Sequence, residues 1–203
     1  MKQLLLDIKP AAVPTLQNFV VGRNAEALAS LQAAISTHAV APFIYLWGES
    51  GSGKSHLLAA CKAVGACVVD NVHLLKNDAQ IDLFNQYNQR KEMGKFMITA
   101  GLHAPAQMGL RDDLATRLAW GLVYQLHTLN DTEKATALKQ HAFERGMKLP
   151  DEVVDYCLRY LRRDLPTLMA TLDALDEWSL TMQKPITVPM LRKLLQLNLD
   201  LND

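Results

Sequence analysis

The chain has 203 residues, 49% hydrophobic and 21% charged, which suits one large or two small domains with a sizeable core and excludes a disordered chain. Basic and acidic side chains number 21 each, so the formal net charge is zero. That balance excludes a protein whose main task is coating nucleic acid, and no strong direct DNA binding is expected.

In chain order, residues 1–15 form an arm in which Gln3-Leu-Leu-Leu-Asp-Ile8 is followed by Pro10 and Pro14, prolines that keep it extended and apart from the body. Residues 23–37 carry helical spacing. An apolar strand follows near 42–47, then a glycine-rich loop, a helix to about residue 64 and a β-rich run over 66–71. A helix over 78–93, a strand over 95–100, a helix over 111–119 and a strand over 122–126 continue the alternation. From Asn130 the pattern turns helical, with helices at about 131–145, 151–162, 164–182 and 187–197, punctuated by Gly146, Pro150 and Lys184-Pro185. Alternating strands and helices followed by helices alone imply an α/β core with a parallel sheet over 16–128 and a helical lid over 129–203, preceded by the arm. No apolar run approaches a membrane span and no signal-peptide pattern opens the chain, so a cytoplasmic protein without a membrane partner is expected.

The glycine-rich loop reads Gly48, Glu49, Ser50, Gly51, Ser52, Gly53, Lys54, Ser55 and fits the phosphate-binding pattern G-x-x-x-x-G-K-[ST] between a strand and a helix. Its glycines let the backbone bend tightly and approach a polyphosphate. The loop amides and the helix dipole favour negative charge there, Lys54 would reach the β- and γ-phosphates, and Ser55 would offer a hydroxyl to Mg²⁺. The expected ligand is ADP or ATP with Mg²⁺.

Val68-Val69-Asp70 ends a strand in a carboxylate, placed where ligands bind in open α/β sheets and able to join Ser55 at the metal. Asn71 follows instead of a second carboxylate. An amide orients water but cannot take its proton, so little hydrolysis by the chain alone is expected. Thr99 closes the third strand, where a hydroxyl could meet the γ-phosphate, and reads equally as a β-favouring structural residue. Arg117, in Arg117-Leu-Ala-Trp-Gly121, lies near a helix end. It is either a partner for the helix dipole or a finger toward a neighbouring subunit's nucleotide. Cys61, Cys67 and Cys157 sit in apolar segments and read as buried thiols, and the six histidines lack a metal-ligand spacing.

The order of these segments resembles the AAA+ ATPases of the DnaA clade. Phe19-Val20-Val21-Gly22-Arg23-Asn24 is similar to that clade's entry segment, which implies that Val20 and Val21 lie near the adenine. Arg163 before Asp164 is similar to its Arg-Glu-Leu motif, which implies a lid arginine on the nucleotide. Within the clade the chain resembles the regulatory inactivators of DnaA, on three grounds: Val-Asp-Asn in place of Asp-Asp, no helix-turn-helix segment after the lid, and the arm. The arm looks like a peptide that docks on the DNA polymerase sliding clamp, which implies clamp contacts by Gln3, Leu4, Leu6 and Ile8. Gln3 would supply amide hydrogen bonds, and each buried leucine or isoleucine would contribute ~1.5–3 kcal/mol. The resemblance further implies DnaA as partner, Arg117 as a finger acting in trans, and admits a homodimer.

Only 16 positions separate Lys54 from Asp70, whereas the family places a further strand and helix between them. In that family the missing strand lies at the sheet edge, so four strands are expected, with the run before Asp70 exposed as an edge and the arm free to add a strand. The leading expectation is a negative regulator of replication initiation that stimulates hydrolysis of DnaA-bound ATP. An autonomous P-loop ATPase such as a helicase loader, or a non-catalytic nucleotide-sensing adaptor, stays open beside it.

Overall fold

The computed structural model describes residues 13–36, 43–161 and 164–199, the side chains of 197–199 excepted. The clamp-docking expectation for Gln3, Leu4, Leu6 and Ile8, and that of an arm strand, lie outside the described residues, as does Arg163. The chain divides into two compact units, one spanning Val13–Leu129 and the other holding the residues from Asn130 on.

In the first unit, β1 (Ile44–Trp47), β2 (Val68–Val69), β3 (Ile98–Gly101) and β4 (Leu122–Gln125) form one sheet in the order β2-β3-β1-β4. Every pairing is parallel, with Tyr45 opposite Thr99 on one side and Val123 on the other. Parallel neighbours need crossovers. Here α2 (Lys54–Ala63), α3 (Asn77–Glu92) and α4 (Asp112–Ala119) supply them, after α1 (Ala25–Ser36). Because successive side chains of a strand face opposite ways, the core divides across the sheet. Ile44, Leu46, Ile98 and Ala100 pack with Leu31, Leu57 and Cys61, while Tyr45 and Met97 pack with Leu83, Leu114 and Leu118.

The two-residue β2 stands at the end of the strand order, the edge expected from the missing strand and helix. It is shorter than the run over 66–71 suggests. Asn71 adopts a left-handed conformation (φ 53°) and turns the chain out of the sheet into a 3₁₀ turn at Val72–Leu74. Cys67, expected to be buried, is half-exposed because it flanks this edge; Cys61 and Cys157 are buried.

The second unit contains α5 (Asp131–Glu144), α6 (Asp151–Tyr160), α7 (Leu165–Met182) and α8 (Val188–Leu199). Leu138, Leu168, Leu172, Leu175 and Leu191 lie fully buried at its centre. α5 opens on a capping box, in which the Asn130 side chain accepts from the Glu133 amide while the Glu133 carboxylate accepts from the Asn130 amide. Asp173 on α7 ties α5 in place through His141 (2.7 Å) and Arg145 (3.3 Å), and Arg145 also reaches Asp176 at 3.5 Å. Among the described residues no helix is long and apolar enough to cross a membrane.

Candidate phosphate-binding site

The chain leaves β1 into the loop Gly48–Ser55 through backbone angles that side chains rarely adopt. Gly48, Gly51 and Gly53 have φ of 151°, 81° and 94°. At Gly48 a Cβ would overlap the Leu126 carbonyl oxygen, and at Gly53 it would come 2.6 Å from the Phe19 ring. Both positions therefore require glycine on two counts, conformation and space.

Lys54, the first residue of α2, is 9% exposed and folds back along the loop. Its ammonium donates to the Gly48 carbonyl at 2.6 Å and the Glu49 carbonyl at 2.8 Å, with the Ser52 hydroxyl at 3.4 Å. Burial lowers the Lys54 pKa from its ordinary value, and the nearby Asp70 carboxylate offsets part of that. A cation buried this way gains from an incoming anion more than an exposed lysine does.

The Ser55 hydroxyl donates to the Asp70 carboxylate at 2.7 Å, and the Asn71 amide donates to the other carboxylate oxygen at 2.7 Å. Ser55 and Asp70, 15 positions apart, thus meet at the head of α2. α2 has no side-chain cap and no acidic residue in its first turn. Its first amides therefore lack the internal anion that many helices supply to themselves.

Phe19 is buried and packs its ring against His56, centroids 5.6 Å apart, so the entry segment borders the loop directly. The half-buried Val20 and Val21 follow it. Asn24 closes this segment onto the sheet. Its side chain donates to the His127 carbonyl at 3.0 Å and accepts from the His127 amide at 2.8 Å, across 103 positions of sequence. Sequence reasoning quoted Asn24 as part of a pattern but missed this anchoring, because nothing local marks the distant backbone partner. Thr99 does not close its strand. β3 continues through Ala100 and Gly101, which pair with Leu46 and Trp47, and Thr99 is 4% exposed within the sheet.

Arg117 lies in the last turn of α4, apart from the loop residues in the contacts described. Its guanidinium sits over the Trp120 ring at 4.4 Å from the centroid and 5.7 Å from that of Phe84. No ion pair joins Arg117 to a carboxylate among the described residues.

A four-stranded parallel sheet with a phosphate-type loop after its central strand, followed by a helical unit, is the AAA+ fold. Residues 131–195 match the family model described as "Hda, lid domain". The fold is similar to domain III of the DnaA replication initiation protein from Thermotoga maritima, with a TM-score of 0.72 at 21% identity, covering 93% of this chain and 98% of that one. It is also similar to AMPPCP-bound DnaA from Aquifex aeolicus, with a TM-score of 0.68 at 22% identity, over 81% of this chain and 65% of that one. The RuvB Holliday junction branch migration motor of Thermotoga maritima follows, with a TM-score of 0.67 at 15% identity, over 94% of this chain and 72% of that one. The family match thus covers the second unit, and the shared fold extends over most of the chain.

Proposed function

We propose that this chain is a nucleotide-bound negative regulator of replication initiation, cytoplasmic, which docks on the DNA polymerase sliding clamp and stimulates hydrolysis of ATP held by DnaA. The observation that carries nucleotide binding is the meeting of three groups: buried Lys54, the Ser55–Asp70 pair and the uncapped head of α2. Loop amides and Lys54 would hold the polyphosphate of ADP or ATP. The AMPPCP carried by DnaA relatives of the same fold supports an adenine nucleotide.

Mg²⁺ fits the donors present. Ser55 and Asp70 offer hard oxygens side by side. Among the described residues no cluster of three His, Cys, Asp or Glu exists to hold an ion by itself, so nucleotide oxygens and water would complete its shell. When bound, Mg²⁺ neutralises phosphate charge. Val20 and Val21 would border the base.

Asn71, exposed beside Asp70, offers no carboxylate base, so the chain alone hydrolyses ATP slowly. Arg117 would act on the nucleotide of DnaA. Its guanidinium keeps its N–H donors unspent on any carboxylate among the described residues, as a finger for developing phosphate charge requires.

The test measures turnover of DnaA-bound ATP in the presence of sliding clamp loaded on DNA. Arg117→Ala should retain nucleotide binding by calorimetry yet lose stimulation by about 10³-fold or more. Lys54→Ala should lose the binding heat itself. Clamp pull-down with a Gln3→Ala, Leu6→Ala variant tests the arm. Full stimulation by Arg117→Ala would exclude the finger.

A further inference from the structure

Among the described residues the Arg117 guanidinium lies over aromatic rings and pairs with no acid, and the surrounding contacts fix those rings from several directions. Trp120 follows at i+3, so the two side chains lie on one face of α4, and the Trp120 amide donates to the Arg117 carbonyl at 3.2 Å. Directly after it, Gly121 passes so close to Phe43 that a Cβ there would overlap the Phe43 carbonyl oxygen. The Leu122 amide then bonds that same carbonyl at 2.8 Å. The backbone that carries Trp120 is thereby pinned to the start of β1. Phe84 comes from α3 and is half-buried against the core beneath it. One face of α3 carries Phe84, Tyr87 and Lys91, and Tyr87 is itself stacked on Phe43 at 3.8 Å.

Trp120 is nonetheless 59% exposed. A tryptophan left this exposed beside an arginine covers little core, so core packing alone does not account for its place at the end of α4. Lys91 also lies over the same ring, at 4.6 Å from its centroid, so the indole carries two cations.

We propose that Trp120 is a positioning residue for Arg117: with Phe84 it fixes the guanidinium by its face and leaves the edge, with its N–H fork, open for an anionic oxygen of the partner's nucleotide. The chemistry distinguishes this hold from an ion pair. A carboxylate would occupy the same in-plane donors that phosphate needs and would neutralise the charge, whereas a ring uses only the π-face. Pre-orienting the side chain before contact removes part of the ordering cost when it meets phosphate. This rests on the proposed action of Arg117 on ATP held by DnaA.

The experiment titrates each variant against ATP-loaded DnaA with clamp on DNA, and reads the maximal hydrolysis rate separately from the half-saturating concentration. Trp120→Ala should lower the maximal rate about two- to fivefold, the span of an exposed cation–π contact. Half-saturation, nucleotide binding and melting temperature should stay near wild type. Trp120→Phe, which keeps a π-face, should restore most of the loss, and Trp120→Ala should add nothing on top of Arg117→Ala. A maximal rate unchanged in Trp120→Ala, while Arg117→Ala has lost it, overturns the positioning role and leaves the proposed function standing. Restoration by Trp120→Leu to the same degree as by Trp120→Phe also overturns it, because leucine covers the surface without a π-face. Wild-type rates in Arg117→Ala overturn both.

Discussion

The helix that follows the glycine-rich loop and the helices of the second unit begin in opposite ways. α5 neutralises its own N-terminus with the Asn130–Glu133 capping box and a further acid, Asp131; α6 starts with Asp151 and Glu152; and the Asp164 side chain accepts from the Thr167 amide at the start of α7. α2 starts with Gly53 in a left-handed conformation, no side-chain cap, no acid, and a lysine and a serine. The second unit supplies caps or acids at the starts of α5, α6 and α7, whereas the first leaves the start of α2 with neither. The charged groups follow the same division. Arg145 pairs with Asp173 and Asp176, and His141 meets Asp173 at 2.7 Å, across α5 and α7. Lys54 is instead buried against neutral carbonyls, and Arg117 lies on aromatic rings. Such incomplete satisfaction costs stability and is expected where function requires it.

Glycine substitutions test that contrast most sharply. Gly48→Ala adds a methyl against a backbone carbonyl at positive φ and should cost ~3 kcal/mol and abolish nucleotide binding. Gly146→Ala, at φ 70° in the second unit with open space around it, should cost only about 1 kcal/mol and leave binding intact. Thermal melts paired with nucleotide calorimetry check both. Equal penalties would mean that the loop is no more constrained than an ordinary turn after a helix.

At the capped end, Asn130→Ala removes one half of the box and should destabilise the second unit by ~1 kcal/mol, with nucleotide affinity unchanged, as read by denaturant melts followed by far-UV circular dichroism. A smaller effect separates the units chemically. Burial pushes the thiols of Cys61 and Cys157, one in each unit, up to about 11, while Cys67 is half-exposed. In the folded chain iodoacetamide at neutral pH should label Cys67 first, and the two buried thiols should then report the opening of their own units. Because a raised thiol pKa means that the folded state holds the proton more tightly, this contribution is intact below about 9 and lost as pH rises through about 11. Melting temperature recorded across that window should fall.

The sheet's strands, the loop and the helical second half were legible because their signals are local. A buried parallel strand shows as an apolar run, the loop's glycines are fixed by backbone geometry, and helices declare their period and caps. Boundaries were less so. The run over 66–71 has β character, but β3 pairs with it only at Val68 and Val69 because Asn71 turns away. The apolar run ending near Thr99 and Ala100 predicts a strand end there. Pairing with β1 carries the strand through Gly101 regardless.

By itself, the sequence determined that a glycine-rich loop ending in Lys54 and Ser55 stands between a strand and a helix, and that the second half is helical, since each shows in local pattern and side-chain period. Only the tertiary structure decided that Asp70 reaches Ser55, that Asn24 anchors to the backbone of His127, and that aromatic rings hold Arg117 where an acid could have stood. Those contacts join residues whose nearness is set by the order of strands in the sheet and the packing of helices upon it, quantities that no local stretch of chain encodes.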